Sequence, residues 1–250
     1  MADPLGASRM DLHIHTTFSD GKGSVGDVAG AARRRGLAIF AITDHYEESR
    51  ASQQRKVSRA GLPEYLSAVE GAGALRGVEV EIYEDGSPSI SSGTRAHMDL
   101  VIGGIHRLRG IIFWDDPTPV LDPGAFVESI RIVAIRAMES GLLDVLAHPT
   151  WLPEDLRPES KRLLTPDWAR SLIRAASDNG VAMEASGVWR VPDEWFLREC
   201  IRQGVKISIG SDAHDPGSVG QTAYAVGLLR AVGAGPEDLF IPAHGGRDRP

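Results

Sequence analysis

"MDLHIHTTFSDGKGS", Met10 to Ser24, is a short apolar run broken by two histidines and followed by an aspartate ahead of a glycine. Side chains two apart on a strand point to the same side. If Met10–Ile14 is a strand, His13 and His15 therefore face one point in space, which is what two ligands of one metal ion require. Histidine is scarce in this chain, eight in 250 residues. Where the other six fall decides both what this stretch means and what fold holds it.

Working outward, six more short apolar runs follow: Ala38–Ile42, Gly77–Ile82, Leu100–Gly104, Leu143–Ala147, Val181–Glu184 and Lys206–Ile209. Each is rich in Val, Ile, Leu or Ala, as a strand covered on both faces should be. Helical stretches lie between most of them. Val25–Arg35 stops at Gly36, Pro123–Ser140 at Gly141, and Glu194–Gln203 at Gly204. Pro166–Asn179 has Thr165 before its leading proline and Gly180 after it, the usual start and stop chemistry of a helix. Seven strands alternating with helices predict an α/β fold, a TIM-barrel-like parallel barrel. With no repeat, low-complexity tract or linker, residues 1–250 read as a single domain. Its core spans about residues 10–232, with loose ends that include Arg247–Pro250. Pro117–Pro123 and Leu152–Pro166 read as surface loops at the lips of a site.

Almost every apolar run ends in a residue able to bind a metal. The first ends in His13 and His15, the second in Asp44 and His45 of "AITDH". The third carries Glu79 and Glu81 in "GVEVEI", and the fourth is followed by His106 in "GGIH". The fifth ends in His148 of "LAHP", the sixth at Glu184, and the seventh in Asp212 and His214 of "IGSDAH". In a βα barrel the carboxyl ends of the strands converge on one face, where active sites sit. A single histidine at a strand end is more often a hydrogen-bonded packing residue than a ligand, because either ring nitrogen can find a partner. Six at equivalent positions, each near a carboxylate, reverse that expectation. His97 and His244 fall outside the pattern and read as non-ligands. Asp11 and Asp44 each lie near a histidine and are expected to stand behind the ligands and orient imidazoles. Glu184 fits that role or a ligand's, and Glu81 is a further ligand candidate on the face of Glu79. Mixed imidazole and carboxylate donors suit Zn, Mn or Fe rather than Ca or Mg.

Composition bounds the partners. With 42% hydrophobic and 24% charged residues, the chain has the make-up of a soluble enzyme. A net charge of −7 argues against general nucleic-acid binding, which needs a basic surface. Cys200 is the only cysteine, so no internal disulfide forms, as in a reducing compartment. No apolar run approaches the roughly 20 residues of a membrane span, and Met1–Arg9 has no signal-like apolar core. A cytoplasmic protein without membrane contact is expected.

The motifs "DLHIHTTFSDG", "ITDH", "GVEVEI", "IGGIH", "LAHP" and "GSDAH", in this order, resemble the PHP (polymerase and histidinol phosphatase) superfamily. The resemblance runs from about Met10 to Val232. Its second half, "GVAMEASGVWR" and "GVKISIGSDAH", looks most like the stand-alone phosphoesterases and the PHP domain of bacterial X-family DNA polymerases. The resemblance implies a distorted seven-stranded βα barrel with two or three divalent transition metals. Carried over motif by motif, His13, His15, Glu79 and Asp212 would hold one ion. Glu79 would bridge to a second, shared with His106 and His148. Asp20, His45 and His214 would hold a third; some members have a histidine where Asp20 stands.

Such a cluster suits phosphate-ester hydrolysis by metal-activated water, and no side-chain nucleophile is evident. Arg190 and Arg107, just beyond strand ends, are the expected phosphate clamps, with Lys22 a further candidate. The leading expectation is a phosphatase acting on a small phosphorylated metabolite of histidinol phosphate or nucleotide type. A stand-alone exonuclease, a carbon–nitrogen hydrolase and a scaffold that has lost its chemistry are the alternatives; the complete ligand set speaks against the last.

Overall fold

The structure is a computed structural model that describes residues 6–48, 56–114, 116 and 118–243. His244, Arg247–Pro250 and Pro117 lie outside the described residues.

The buried Val, Ile, Leu and Ala runs do become strands. In chain order they are β1 (Met10–Asp11), β2 (Ile39–Ile42), β3 (His45–Tyr46), β4 (Leu75–Glu81) and β5 (Leu100–Gly104). Next come β6 (Arg107–Leu108), β7 (Ile111–Ile112), β8 (Val145–Leu146), β9 (Ala182–Ser186) and β10 (Ile207–Gly210). The main sheet runs β1-β2-β4-β5-β8-β9-β10, with β3 also paired to β4. Its pairs are parallel throughout. The ends meet: Leu12 donates its N–H to the Ile209 carbonyl at 2.8 Å, and His15 donates to Ala213 at 2.9 Å. The result is a seven-stranded barrel. β6 and β7 form a small antiparallel hairpin off its rim, and Trp114 follows that hairpin.

The first run is regular over a shorter span than its sequence implies. Beyond Asp11 the chain leaves a simple ladder and bonds to both sides. Ile14 donates its N–H to Thr43 Oγ1 at 3.0 Å, and Thr43 donates back to Ile14 O at 2.8 Å. The stretch that carries His13 and His15 is thus held on one side by Thr43, after β2, and on the other by Ile209 and Ala213 of the last strand and the turn beyond it.

Helices cover the outside. α1 (Val25–Arg34) begins with a reciprocal Ser24–Asp27 capping box. α2 is Leu62–Gly71 and α3 is Ser92–Arg95. α4 (Pro123–Glu139) is capped by Asp122, and α5 is Ser160–Leu163. α6 (Pro166–Asn179) is capped by Thr165 and stops at Gly180 with φ 65°. α7 (Glu194–Arg202) is capped by Asp193, and α8 is Ala223–Val232. The sequence reading missed α2 and α8. Both start without a side-chain cap; α8 nevertheless stops at Gly233 with φ 73°, the same kind of stop that ends the helices read from the sequence, so that signal is present there. Leu152–Pro166, expected as a plain loop, contains a 3-10 turn, Glu154–Glu159, and α5. One buried apolar cluster runs from Ala7 to Leu239. No helix among the described residues is long and apolar enough to cross a membrane.

Candidate metal centre

All nine side chains expected as ligands converge at the carboxyl ends of the barrel strands. Glu79, on β4, is the hub. Its Oε2 lies 3.2 Å from His13 Nε2, 3.4 Å from His15 Nε2 and 3.2 Å from His45 Nδ1. Its Oε1 lies 3.2 Å from His106 Nε2 and 3.4 Å from His148 Nε2. Asp212 Oδ1 stands 3.2 Å from His15 Nε2 and 3.5 Å from His13 Nε2. Asp20 faces His214 Nε2 at 3.3 Å and His45 Nε2 at 3.6 Å. Three groups result: His13, His15 and Asp212; Glu79, His106 and His148; and His15, Asp20, His45 and His214, each with donor atoms within 4.8 Å of one another.

The donor set fits metal ions, and an independent observation supports this. His13 Nε2, both nitrogens of His15, Glu79 Oε1 and Asp212 Oδ1 are buried without a hydrogen-bond partner. Orphaned polar atoms in a protein interior are costly. Here His13 Nε2, His15 Nε2, Glu79 and Asp212 Oδ1 face one another, and His15 Nδ1 faces Asp20 at 3.8 Å, as donors arranged around cations would. The outer nitrogens are committed elsewhere. His13 Nδ1 lies 2.7 Å from Glu184 Oε1, and His106 Nδ1 lies 3.1 Å from Glu81 Oε2. His214 Nδ1 lies 3.1 Å from the Asp212 carbonyl. A proton held on Nδ1 by these acceptors leaves Nε2 as the ligand atom. Asp212 is fixed in the same way: Trp189 Nε1 donates to its Oδ2 at 2.6 Å, leaving Oδ1 for the cluster. His148 and Asp212 take left-handed backbone angles, φ 31° and 52°, which for such residues store strain of about 1–3 kcal/mol each.

The titration of the metal-free cluster follows from this packing. Burial opposes charge on Glu79, but His13, His106 and His45 outweigh it and hold the carboxyl well below its usual range. Burial likewise disfavours the Asp212 carboxylate, yet the imidazoles of His13 and His15 keep it ionised far below normal. Burial would lower His106, but Glu79 and Glu81 push it up to about 10. His214 rises against its own desolvation to about 9, through Asp20 and Asp212. His45 goes the other way, to about 3, because burial dominates there.

A family model described as the PHP domain matches residues 11–184. The chain belongs to the PHP family. A probable phosphatase of Syntrophotalea carbinolica is 26% identical, over 93% of this chain and 91% of that protein. One of Edwardsiella ictaluri is 28% identical, over 92% and 89%. The DNA polymerase/3'-5' exonuclease PolX of Bacillus subtilis is 29% identical over 84% of this chain, which spans only 35% of that protein. Among solved structures, the fold is similar to histidinol phosphate phosphatase of Lactococcus lactis, solved with zinc, L-histidinol and phosphate. That match has a TM-score of 0.68 and 14% identity, and covers 93% of this chain and 98% of that one.

The remaining residues around the PHP centre fall partly where expected. Glu184 does stand behind His13, and its Oε2 also accepts the His148 N–H at 2.7 Å. Glu81, a ligand candidate in the sequence, instead grips His106 from behind, accepting its backbone N–H at 3.0 Å as well. Asp11 and Asp44 do not orient imidazoles. Asp11 accepts from Ser211 N at 2.8 Å, Ser211 Oγ at 2.6 Å and Gly220 N at 2.6 Å. Burial raises it to about 6 against those bonds. Asp44 accepts from Thr16 Oγ1 at 2.6 Å and Ser19 Oγ at 2.5 Å. Both hold the backbone that carries the histidines, because their carboxyls lie on the side of the neighbouring loops. His97 is exposed and belongs to none of the three groups. Cys200 is buried in α7, and burial pushes its thiol up.

The centre opens into a cavity of about 550 Å³. Lys22 lines it, as do Arg157, Trp114, Trp151 and Trp189; Arg190 and Arg107 are not among its described lining residues. The Arg190 guanidinium lies 5.5 Å from the Tyr224 ring centroid. Arg107 lines a neighbouring cavity of about 720 Å³ on the other side of His106. Sequence reasoning missed Arg157. It sits over the rings of Trp151 and Trp189, 5.2 and 5.8 Å from their centroids. Its Nε donates to Leu152 O at 3.0 Å and Nη2 to Phe113 O at 2.8 Å. Its position within an apparent loop gave no signal.

Proposed function

We propose that this PHP protein is a metal-dependent phosphoesterase that hydrolyses phosphomonoesters of small molecules. The observation that carries the reading is the ring of orphaned ligand atoms around Glu79, at the floor of a cavity whose wall carries one guanidinium. In this reading His13, His15, Glu79 and Asp212 hold one ion, and Glu79, His106 and His148 a second. Asp20, His45 and His214 hold a third. Divalent ions held there, Zn, Mn or Fe, would lower the pKa of a water and stabilise negative charge on a phosphoryl group.

The chain's own groups do the rest. Glu184 and Glu81 keep the Nδ1 protons of His13 and His106 turned away from the floor. Trp189 fixes one oxygen of Asp212. Arg157 has two of its three nitrogens donating to backbone carbonyls and its guanidinium carbon 5.2 and 5.8 Å from two indole centroids, so its Nη1 is left for an anionic oxygen. A planar, preorganised guanidinium suits a phosphate better than a free lysine does. Arg190 and Arg107 then serve as outer-rim cations rather than as the clamp. The leaving group is of histidinol phosphate or nucleotide type. The two probable phosphatases, alike over nine-tenths of their length, support phosphate-ester hydrolysis and leave the leaving group open.

The likeness to the PolX exonuclease favours a second reading, nucleic-acid hydrolysis. Glu47, Glu81, Glu84 and Asp85 line the neighbouring cavity against Lys56 and Arg107, and an acidic wall repels a phosphate backbone. The deciding experiment is a panel of phosphomonoesters, a phosphodiester, an amide and single-stranded DNA with added Mn. Turnover confined to monoesters and abolished by a chelator is expected. Preferred cleavage of DNA or of the amide would replace the reading.

A further inference from the structure

Trp114 stands out among the large apolar side chains because it is 44% exposed and lines both cavities. His106 is the other residue common to the two walls. The indole is held in place. It runs nearly parallel to Trp151, with centroids 6.2 Å apart and 15° between planes. It meets the His106 imidazole edge-on at 5.8 Å and 75°. Trp151 in turn packs on Trp189 at 4.2 Å, and Arg157 covers both. Val188, 55% exposed, lines the same cavity. Exposed apolar surface from Trp114 and Val188 on the wall of a cavity whose floor is polar is the arrangement of a small-molecule pocket.

We infer that Trp114 is a specificity-determining residue: it is a stacking platform beside the metal centre that selects phosphomonoesters whose leaving group carries a planar ring. The inference rests on the phosphomonoesterase reading above. A phosphate anchored over Glu79 and facing Arg157 has its leaving group directed toward the mouth, where Trp114 stands between the two cavities. A flat ring there lies on the indole as Trp114 itself lies along Trp151. A puckered aliphatic ring of equal size loses the offset contact between faces, which adds to simple area burial. Trp114 touches the leaving group rather than the reacting phosphorus, so its effect appears as discrimination.

The test compares 2-phenylethyl phosphate with 2-cyclohexylethyl phosphate, two alkyl esters that differ in the flatness of the ring. The metal-loaded protein is expected to favour the phenyl ester by roughly two- to tenfold in kcat/KM. Trp114→Phe retains the preference; Trp114→Ala and Trp114→Leu bring the ratio to about one. Calorimetric dissociation constants for the two corresponding phosphonates, which are not hydrolysed, are expected to show the same order. An equal ratio in the parent and in Trp114→Ala overturns the inference. If both esters are hydrolysed without a Trp114-dependent preference, the phosphomonoesterase reading stands and the platform falls. If neither is hydrolysed while the phosphonates still discriminate through Trp114, the platform stands and the phosphomonoesterase reading falls.

Discussion

At Glu79 one carboxylate faces five imidazoles, and no other side chain in the cluster is so placed. Glu79→Gln preserves its size and removes the negative charge between the proposed cations. Metal content by elemental analysis is expected to fall below half of the parent's, and phosphatase activity by at least a hundredfold. Full metal retention would take the bridging role away from Glu79. The next residue in weight is Arg157. Losing one charge-assisted contact of about 1.5–3 kcal/mol lowers kcat/KM for a monoester roughly ten- to a hundredfold. Arg157→Ala should do so with metal content intact, whereas Arg190→Ala should change kcat/KM by less than threefold. The reverse ranking in steady-state kinetics would restore Arg190 as the clamp. The histidines were legible in the sequence because strand geometry forces two-apart residues to one side and strand ends to one face. Arg157 and Trp189 were not: each reaches the site from a loop whose path no periodicity records.

The strands explain why the cluster can be so tight. Where the proposed ligands crowd the backbone, the sequence has glycine. A Cβ on Gly104, the last residue of β5, would lie 2.5 Å from His106 Cε1 and 2.7 Å from Glu79 Oε1. One on Gly210, closing β10, would run into Glu184 Oε1 and the His13 Cβ. Gly104→Ala is therefore expected to push two proposed ligands, His106 and Glu79, aside at once without touching the helices. Misplaced ligands or their supports typically cost ten- to a hundredfold in metal affinity, and overpacking costs about 1–3 kcal/mol. Competition with a chromophoric chelator is expected to show that loss, with far-ultraviolet circular dichroism unchanged. An unaltered affinity would mean that the cluster has slack which the packing denies. Element order was readable for the same reason that these glycines are needed. Buried parallel strands give continuous apolar runs, and helices announce their ends, as at Gly36, Thr165, Gly180 and Gly204. The β6–β7 hairpin and the turn at Glu154–Glu159 are too short to show a period, yet they carry Trp114 and Arg157 to the site.

For the molecule as a whole, the cluster links metal occupancy, protonation and stability. Without cations, protons balance the buried carboxylates: His106 titrates at about 10 and His214 at about 9, each held up by neighbouring carboxylates against its own burial. At pH 7.5 both imidazoles are charged, but a ligand imidazole must be neutral. Metal loading should therefore release at least two protons. Calorimetric titration of zinc into chelator-stripped protein, in two buffers of different ionisation enthalpy, counts them. Release of none would show that these histidines are not ligands. The sign of the stability effect follows. A histidine whose folded pKa is raised above its unfolded value of about 6.5 contributes stability that is complete below pH 6.5 and is lost as pH rises through the folded pKa. The metal-free protein should therefore lose Tm steadily between pH 7 and pH 10. His45, depressed to about 3 by burial, acts only on the acid side, where it withdraws stability as pH falls below 6.5. Metal-loaded protein has no such protons to lose, so its Tm should stay level over the alkaline window and exceed the metal-free value increasingly toward pH 10. Because binding displaces protons, metal affinity should also climb with pH, about tenfold per unit for each proton released. A metal-free Tm that is flat from pH 7 to pH 10 would separate the histidines from the carboxylates that the structure places beside them.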